Sequence, residues 1–315
     1  MLWGAIVVAA GRGTRFGRPK QLIELAGAPM LSWSIRTFAH MPEIVDIVVV
    51  TENEWIDNVA AVATAAANGR PVRVVSGGAT RQQSVRAGLD ALPSRCQGVL
   101  VHDGARPLVK GSDVRNAMRV VADGHAALLG TPVVDTIKAV DSARRLVQRT
   151  LDRDTLWAAQ TPQLATVRDL ERAHVEAARN HVDGTDEATL LERNGVEVEL
   201  VAGSPENFKI TIPEDLARAE ALLRLRMEHM PGEEEVLLVE IFTDENLVDT
   251  VCKEIESRGG TIDGIDRDLP TAVAVRAYVP APQFRGFGER FEAVRNGEMT
   301  FTTRFSHFAG RTEGA

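Results

Sequence analysis

Short apolar runs rich in Val, Ile, Leu and Ala recur along the first 130 positions, and each is followed by a stretch whose apolar residues fall three and four apart. The runs predict strands at 4–10, 44–51, 71–76, 97–102 and 126–133. The stretches between them predict helices over 29–40, 53–67, 80–92 and 111–123. Strands read as continuous apolar runs, rather than as alternating positions, when both faces of a sheet are covered, so the alternation predicts a parallel sheet with helices on both sides. Ligands in such sheets bind beyond the carboxyl ends of the strands. Three loops with polar or glycine-rich character follow strands here, at Gly11, Gly77-Gly78 and Asp103, and all three should open on one rim.

The pattern changes after residue 133. Val133–Val140, a turn at Asp141–Arg145 and Leu146–Leu151 read as a hairpin within a segment at about 134–156. A helix begins at Pro213, a favoured first-turn residue, and runs to about Leu225. Beyond it Val236–Thr243, Thr261–Asp268, Ala272–Val279 and Met299–Phe308 read as strands. Glu245–Ser257, closed by Gly259-Gly260, and Phe284–Arg295 read as helices. This βαββαβ order is that of a small α+β ferredoxin-like domain.

Charge separates the same two parts. The chain of 315 residues carries 36 Lys and Arg against 44 Asp and Glu, a net charge of −8. From Glu228 to the last residue there are 17 acidic against 9 basic side chains, so residues 1–227 are neutral. The acidic part also holds eight of the fifteen aromatic residues. We therefore expect a first domain over 1–229, a linker over 230–234 and a second domain over 235–315. Cys96 and Cys252 are the only cysteines and match no metal or redox spacing, which suits a reducing cytoplasm. No apolar run is long enough for a membrane span, and the apolar opening lacks a basic leader region and reads as the first strand. A soluble cytoplasmic protein with no membrane partner is expected.

Candidate chemistry begins directly behind that strand, in Ala9-Ala10-Gly11-Arg12-Gly13-Thr14-Arg15-Phe16-Gly17-Arg18-Pro19-Lys20. Glycines allow backbone N–H groups to approach phosphate oxygens closely, and Arg15 and Lys20 bring mobile positive charge. The spacing of Gly11, Gly13 and Gly17 is one residue too long for the dinucleotide fingerprint, and Pro19 opposes a continuing helix. No G-x-x-x-x-G-K-[ST] string occurs, so a P-loop is excluded. A nucleotide triphosphate site at Ala10, Gly11 and Gly13 is the reading that survives.

Further motifs follow in order: Gly77-Gly78-Ala79-Thr80-Arg81-Gln82-Gln83-Ser84-Val85, Val101-His102-Asp103-Gly104-Ala105-Arg106-Pro107, Asp135-Thr136-Ile137-Lys138, Thr161-Pro162-Gln163, Thr185-Asp186-Glu187-Ala188 and Asn207-Phe208-Lys209-Ile210-Thr211. With the glycine loop and its Pro-Lys-Gln ending, they resemble the 2-C-methyl-D-erythritol 4-phosphate cytidylyltransferase family over roughly residues 3–226. Gly104 stands where that pattern has alanine. Val275-Arg276-Ala277-Tyr278-Val279-Pro280 and Phe305-Ser306-His307-Phe308-Ala309 resemble the C-terminal domain of translation elongation factor G over about 235–310. The resemblance implies a Rossmann-like, mostly parallel nucleotidyltransferase sheet with a protruding β-arm, followed by the ferredoxin-like domain.

The resemblance also implies a reaction: a polyol phosphate oxygen attacks the α-phosphorus of CTP and pyrophosphate leaves. Both reactants are anions, and the nucleophile needs no general base, so cations should do most of the work. Arg15 and Lys20 would hold the triphosphate and stabilise the transition state, and Lys209 would reach the α-phosphate. Asp103 is a natural ligand for Mg²⁺ or another divalent cation, which takes one or two carboxylates plus phosphate oxygens. Base selection falls to Gly77, Gly78 and Ser84, although Ser84 could equally be a plain helix residue. Arg106 would bind the acceptor's phosphate, and Asp103, Thr136, Arg153, Thr161 and Thr185 match acceptor positions. Thr136 and Arg153 would come from the arm of a second subunit, which implies a homodimer. His102 reads as structural.

A ribitol-5-phosphate cytidylyltransferase would share these motifs and differ in its acceptor. A translation-associated binding protein is the alternative that the second domain raises, but the missing P-loop and the acidic charge disfavour a G domain and direct nucleic-acid binding. Fusion to a zinc-dependent cyclodiphosphate synthase is disfavoured as well, because His307 has no D-x-H partner.

Overall fold

In the computed structural model, the sheet that the apolar runs predict has seven strands, and two compact units share the chain, Met1–Leu223 and Arg224–Ala315. Residues 1–11, 19–228, 233–267, 269, 272–284, 286–290 and 299–310 are described. The division falls inside a helix, a few residues before the linker expected at 230–234.

The first unit runs β1 (Trp3–Val8), the short pair β2 (Glu24–Leu25) and β3 (Ala28–Pro29), α1 (Met30–Ala39), β4 (Ile44–Thr51), α2 (Ile56–Ala66), β5 (Val72–Ser76) and α3 (Arg81–Ala91). It continues through β6 (Gly98–Asp103), α4 (Gly111–Ala122), β7 (Ala126–Pro132), the hairpin β8 (Lys138–Val140) and β9 (Val147–Thr150), and β10 (Trp157–Thr166). Then come α5 (Val167–Arg179), α6 (Glu187–Arg193), β11 (Val198–Ala202) and α7 (Pro213–Glu228). The strand order is β11-β7-β10-β6-β1-β4-β5. All pairs are parallel except those made by β10, which runs antiparallel to β6 and β7.

Side chains alternate across this sheet because successive residues of a strand face opposite ways. Ala5, Val7, Ile47, Val49 and Leu100 face α1, α2 and α4 in one core. Ile6, Val48, Val50, Val99 and Val101 face α3, α5 and α6 in the other. Both faces are dry, which is why the runs are apolar throughout. After β1 the chain moves to β4 and β5 on one side and then returns to β6 on the other, so the strand order reverses between β1 and β6. A crevice forms at such a switch point.

Among the described residues the hairpin β8–β9 pairs only with itself, and it is exposed, with Leu146 and Val147 each 60% accessible. No described helix is long and apolar enough to cross a membrane.

The second unit contains β12 (Glu233–Thr243), α8 (Val248–Ser257), β13 (Thr261–Asp266), β14 (Val273–Pro280), α9 (Ala281–Phe284), α10 (Phe287–Arg290) and β15 (Thr300–Gly310). Its antiparallel order β13-β14-β12-β15 is ferredoxin-like, over a core that includes Val239, Ile241, Val251, Ile255 and Val275. Of the helix expected over 284–295, the described part is divided: Phe284 ends α9 and α10 begins at Phe287. Gly286 takes a φ of +72° between them, a conformation that interrupts a right-handed helix. Residues 291–295 lie outside the described residues.

Candidate active site

The switch point brings three loops together. Val8 is in register with Asp103 across β1 and β6, and the Gly104 N–H donates to the Val8 carbonyl at 2.9 Å. The Gly77 N–H donates to the Thr51 carbonyl at 2.7 Å, which seats the third loop beside them. A cleft of about 280 Å³ opens here, lined among others by Ala10, Gly11, Lys20, Gly78, Ser84 and Asp103. Gly13 and Arg15 lie outside the described residues.

The loop before α3 is shaped by a lack of room. A Cβ on Gly77 would sit 2.7 Å from the Ser84 Oγ and 2.9 Å from the Ala10 Cβ, and one on Gly78 would sit 2.4 Å from the Gln83 Cβ. Ser84 is 2% exposed; its hydroxyl donates to the Thr80 carbonyl at 3.0 Å and accepts the Gly78 N–H at 3.2 Å. The Thr80 side chain caps α3 by accepting the Gln83 N–H. The backbone of this loop is thus held by its own helix.

Asp103, only 8% exposed, sits among three cations. Its Oδ2 accepts a hydrogen bond from the Lys209 Nζ at 2.9 Å and lies 3.8 Å from the Arg106 Nε. Its Oδ1 is 3.5 Å from the Arg81 Nε. Burial alone would raise the carboxyl, but Lys209, then Arg81 and Arg106, outweigh it and hold the pKa at about 2. The group is a carboxylate at every physiological pH.

Two further links tie the cations together. The Lys20 Nζ donates to the Ile210 carbonyl at 2.7 Å, and the Ile210 N–H donates to the Ala105 carbonyl at 2.9 Å. The Lys209 segment is therefore stitched to both the end of the glycine loop and the Asp103 loop. Residues 207–211 are irregular, and their backbone groups serve these cross-links. Arg106 donates to the Asn207 carbonyl at 2.8 Å, and the buried Asn207 amide donates to the Thr161 carbonyl at 2.8 Å.

Thr161 is 5% exposed and works through its hydroxyl, which accepts the Asp103 N–H at 3.0 Å and meets the His102 Nδ1 at 3.2 Å. The His102 Nε2 faces the Arg106 carbonyl at 3.0 Å, an acceptor only, so Nε2 carries the proton and the Thr161 hydroxyl donates to Nδ1. Full burial lowers the His102 pKa to about 4 against the opposing pull of Asp103, and the ring packs edge-on to Phe38. His102 is a neutral structural group, in line with its sequence reading.

Thr136, Arg153 and Thr185 are not part of this cluster. All three are exposed: Thr136 and Arg153 sit on the arm, where Arg153 donates to the Val134 carbonyl at 3.0 Å, and Thr185 precedes α6. Two residues that the sequence reading quoted but gave no role stand inside it. Arg81 lines the cleft, and both its terminal nitrogens donate to Glu187, at 2.8 and 2.9 Å. Their position within the Gly77 and Thr185 motifs was the signal. Among the described residues no group of three acidic, His or Cys side chains could hold a metal alone. A single carboxylate fits a cation that arrives with phosphate oxygens.

Comparison with known proteins divides the chain in the same way. The family model described as 2-C-methyl-D-erythritol 4-phosphate cytidylyltransferase matches residues 4–225, and that described as the elongation factor G C-terminus matches residues 233–313. A 2-C-methyl-D-erythritol 4-phosphate cytidylyltransferase from Prochlorococcus marinus is 42% identical over 223 residues, covering 70% of this chain and 98% of the relative. One from Halalkalibacterium halodurans is 40% identical over 225 residues, covering 71% and 97%. The crystal structure of a 4-diphosphocytidyl-2C-methyl-D-erythritol synthase from Anaerococcus prevotii, 28% identical, aligns with a TM-score of 0.64 over 71% of this chain and 98% of that one.

Proposed function

Because residues 4–225 belong to the 2-C-methyl-D-erythritol 4-phosphate cytidylyltransferase family, we propose that this protein transfers CMP from CTP to 2-C-methyl-D-erythritol 4-phosphate. The products are 4-diphosphocytidyl-2-C-methyl-D-erythritol and pyrophosphate, in isoprenoid precursor synthesis by the non-mevalonate route. The observation that carries the reading is the cluster at the switch point. An ionised Asp103 lies within 4 Å of Lys209, Arg81 and Arg106, beside Lys20 and a glycine-lined cleft.

Each group has a task in a displacement at phosphorus. Arg15 and Lys20 hold the triphosphate, and Lys209 meets the α-phosphate as charge builds on its oxygens. Arg106 holds the acceptor's phosphate, whose own oxygen is the nucleophile. The backbone around Ala10, Gly11, Gly13, Gly77 and Gly78 admits the nucleotide, and Ser84 serves base selection by holding the Gly78 loop in shape. Asp103 would hold Mg²⁺ or another divalent cation, which neutralises the triphosphate and draws electrons from the phosphorus. Thr161 fixes Asp103 through its N–H.

The chain acts as a homodimer in this proposal. The arm exposes Val134, Leu146 and Val147, an apolar set suited to a second copy, and Thr136 and Arg153 on it reach that copy's acceptor site. Thr185 completes the acceptor set. We place the reaction in the cytoplasm.

Pyrophosphate release measured with CTP and each polyol phosphate tests the function. Turnover with 2-C-methyl-D-erythritol 4-phosphate is expected; turnover with ribitol 5-phosphate alone would overturn the acceptor assignment.

A further inference from the structure

The motif Thr185-Asp186-Glu187-Ala188 reaches the cleft through another side chain, that of Arg81. Thr185 is exposed, and Asp186 caps α6 by accepting the Thr189 N–H. Glu187 points inward, as does the small Ala188. Glu187 is 2% exposed, and its two oxygens grip the two terminal nitrogens of Arg81 in a fork.

This fork leaves one edge of the guanidinium free for other work. With both terminal nitrogens taken, the Arg81 Nε is the edge that faces Asp103, at 3.5 Å. Arg81 is also the first residue of α3, directly after the glycine loop, so it connects that loop to the Asp103 carboxylate. Rotation of the guanidinium away from Glu187 would turn the whole plane and withdraw Nε from Asp103.

The surroundings hold Glu187 in turn. The Gln163 side chain donates to Asp186 at 2.9 Å and accepts the Ala188 N–H at 2.9 Å, and the Gln82 side chain accepts the Gly184 N–H at 2.8 Å. The start of α6 is thereby fastened to β10 and α3. A side chain so placed holds Arg81 from behind without presenting its own oxygens to an anionic nucleotide.

We propose that Glu187 is a positioning residue for nucleotide binding: it fixes the Arg81 guanidinium so that Arg81 braces the Gly77–Thr80 loop and the Asp103 carboxylate in the geometry that receives CTP. The inference rests on the function proposed above. A lysine in place of Arg81 would keep the charge but could not be held by a two-point fork.

Direct titration of CTP by calorimetry, without turnover, tests it on the full chain, on E187Q, on R81K and on the double variant. Glu187→Gln and Arg81→Lys should each weaken CTP binding tenfold or more, and the double variant should be within twofold of R81K, since both act through one guanidinium. KM for the polyol phosphate should stay within twofold in each. If E187Q denatures, Glu187→Asp, which keeps the charge and shortens the reach, should still weaken CTP at least fivefold. CTP affinity in E187Q, or in E187D where that variant is needed, within twofold of the unaltered protein would overturn the proposal, whatever happened to its melting temperature. Failure of the unaltered protein to bind CTP would instead overturn the cytidylyltransferase reading, and this inference with it.

Discussion

Asp103 keeps its charge with 8% of its surface exposed because Lys209, Arg81 and Arg106 together outweigh the cost of burial. Of the three, Lys209 makes the shortest contact, at 2.9 Å, and its own side chain is still 42% exposed, so it can pass from Asp103 to a phosphate without leaving the cleft. Lys209→Met should lower kcat by about 100-fold or more, the usual effect of removing one group that meets transition-state charge. Steady-state pyrophosphate release decides this, and a loss under threefold would remove Lys209 from the mechanism. The buried histidines predict a pH effect on stability. Burial holds both His102 and His174 at about 4, and His174 is depressed further by Arg86 and Arg81. Unfolded histidines titrate near 6.5, so between pH 6.5 and 4 the unfolded chain takes up protons that the folded one refuses. Stability is full above 6.5 and falls as pH drops, by about 1.4 kcal/mol per pH unit for each histidine. All four tryptophans lie in the first unit, so urea unfolding followed by their fluorescence at pH 7 and pH 5 reads that unit alone. Replacing His174, whose Nε2 finds no hydrogen-bond partner, with Leu should roughly halve the slope; an unchanged slope would assign it elsewhere.

The glycine loop before α3 shows how an element turns small residues into a binding surface. Gly77 and Gly78 are not at positive φ; what they supply is room, since each Cβ would strike Ser84, Ala10 or Gln83. Gly77→Ala should push the loop off the end of β1 and raise KM for CTP about tenfold, with KM for the acceptor unchanged. Equal rises in both constants would mean that the loop serves the whole cleft. At this scale much was legible in the sequence. The parallel strands announce themselves because both faces are buried, and the Gly11, Gly77 and Asp103 loops follow from where those runs stop. β10 was not legible as a strand: Pro162 removes a ladder donor, and the pairing with β7 is irregular between Ala159 and Gln163, so no alternation survives. The Arg81–Glu187 fork was equally hidden, because residues 106 apart meet only after α3 and α6 pack on the same face. Within the helix expected over 284–295, Gly286 interrupts the start, where a single left-handed residue outweighs the apolar spacing around it, and α10 begins only at Phe287.

The two units have separate hydrophobic cores, one set drawn from Trp3 to Leu191 and the other from Val239 to Met299. The charge divides with them, since the neutral first part contains the whole seven-stranded sheet, the arm and every described residue assigned to catalysis, while residues 228–315 carry the entire net charge of −8. A unit that buries its own apolar surface does not need the other to fold. An acidic unit also adds unfavourable charge to any encounter with a nucleic acid, where affinity is built from released counterions. A chain ending at Glu228 keeps α7 whole, and it should therefore fold, dimerise and turn over CTP with kcat and KM within about threefold of the full chain. The full chain should melt in two calorimetric transitions, of which the truncated one retains the first. RNA binding by the full chain in low salt should match that of the truncated chain. Complete loss of activity in a truncated protein that is still folded and dimeric would mean that the second unit contributes to the reaction itself, and the catalytic assignment would then have to include it.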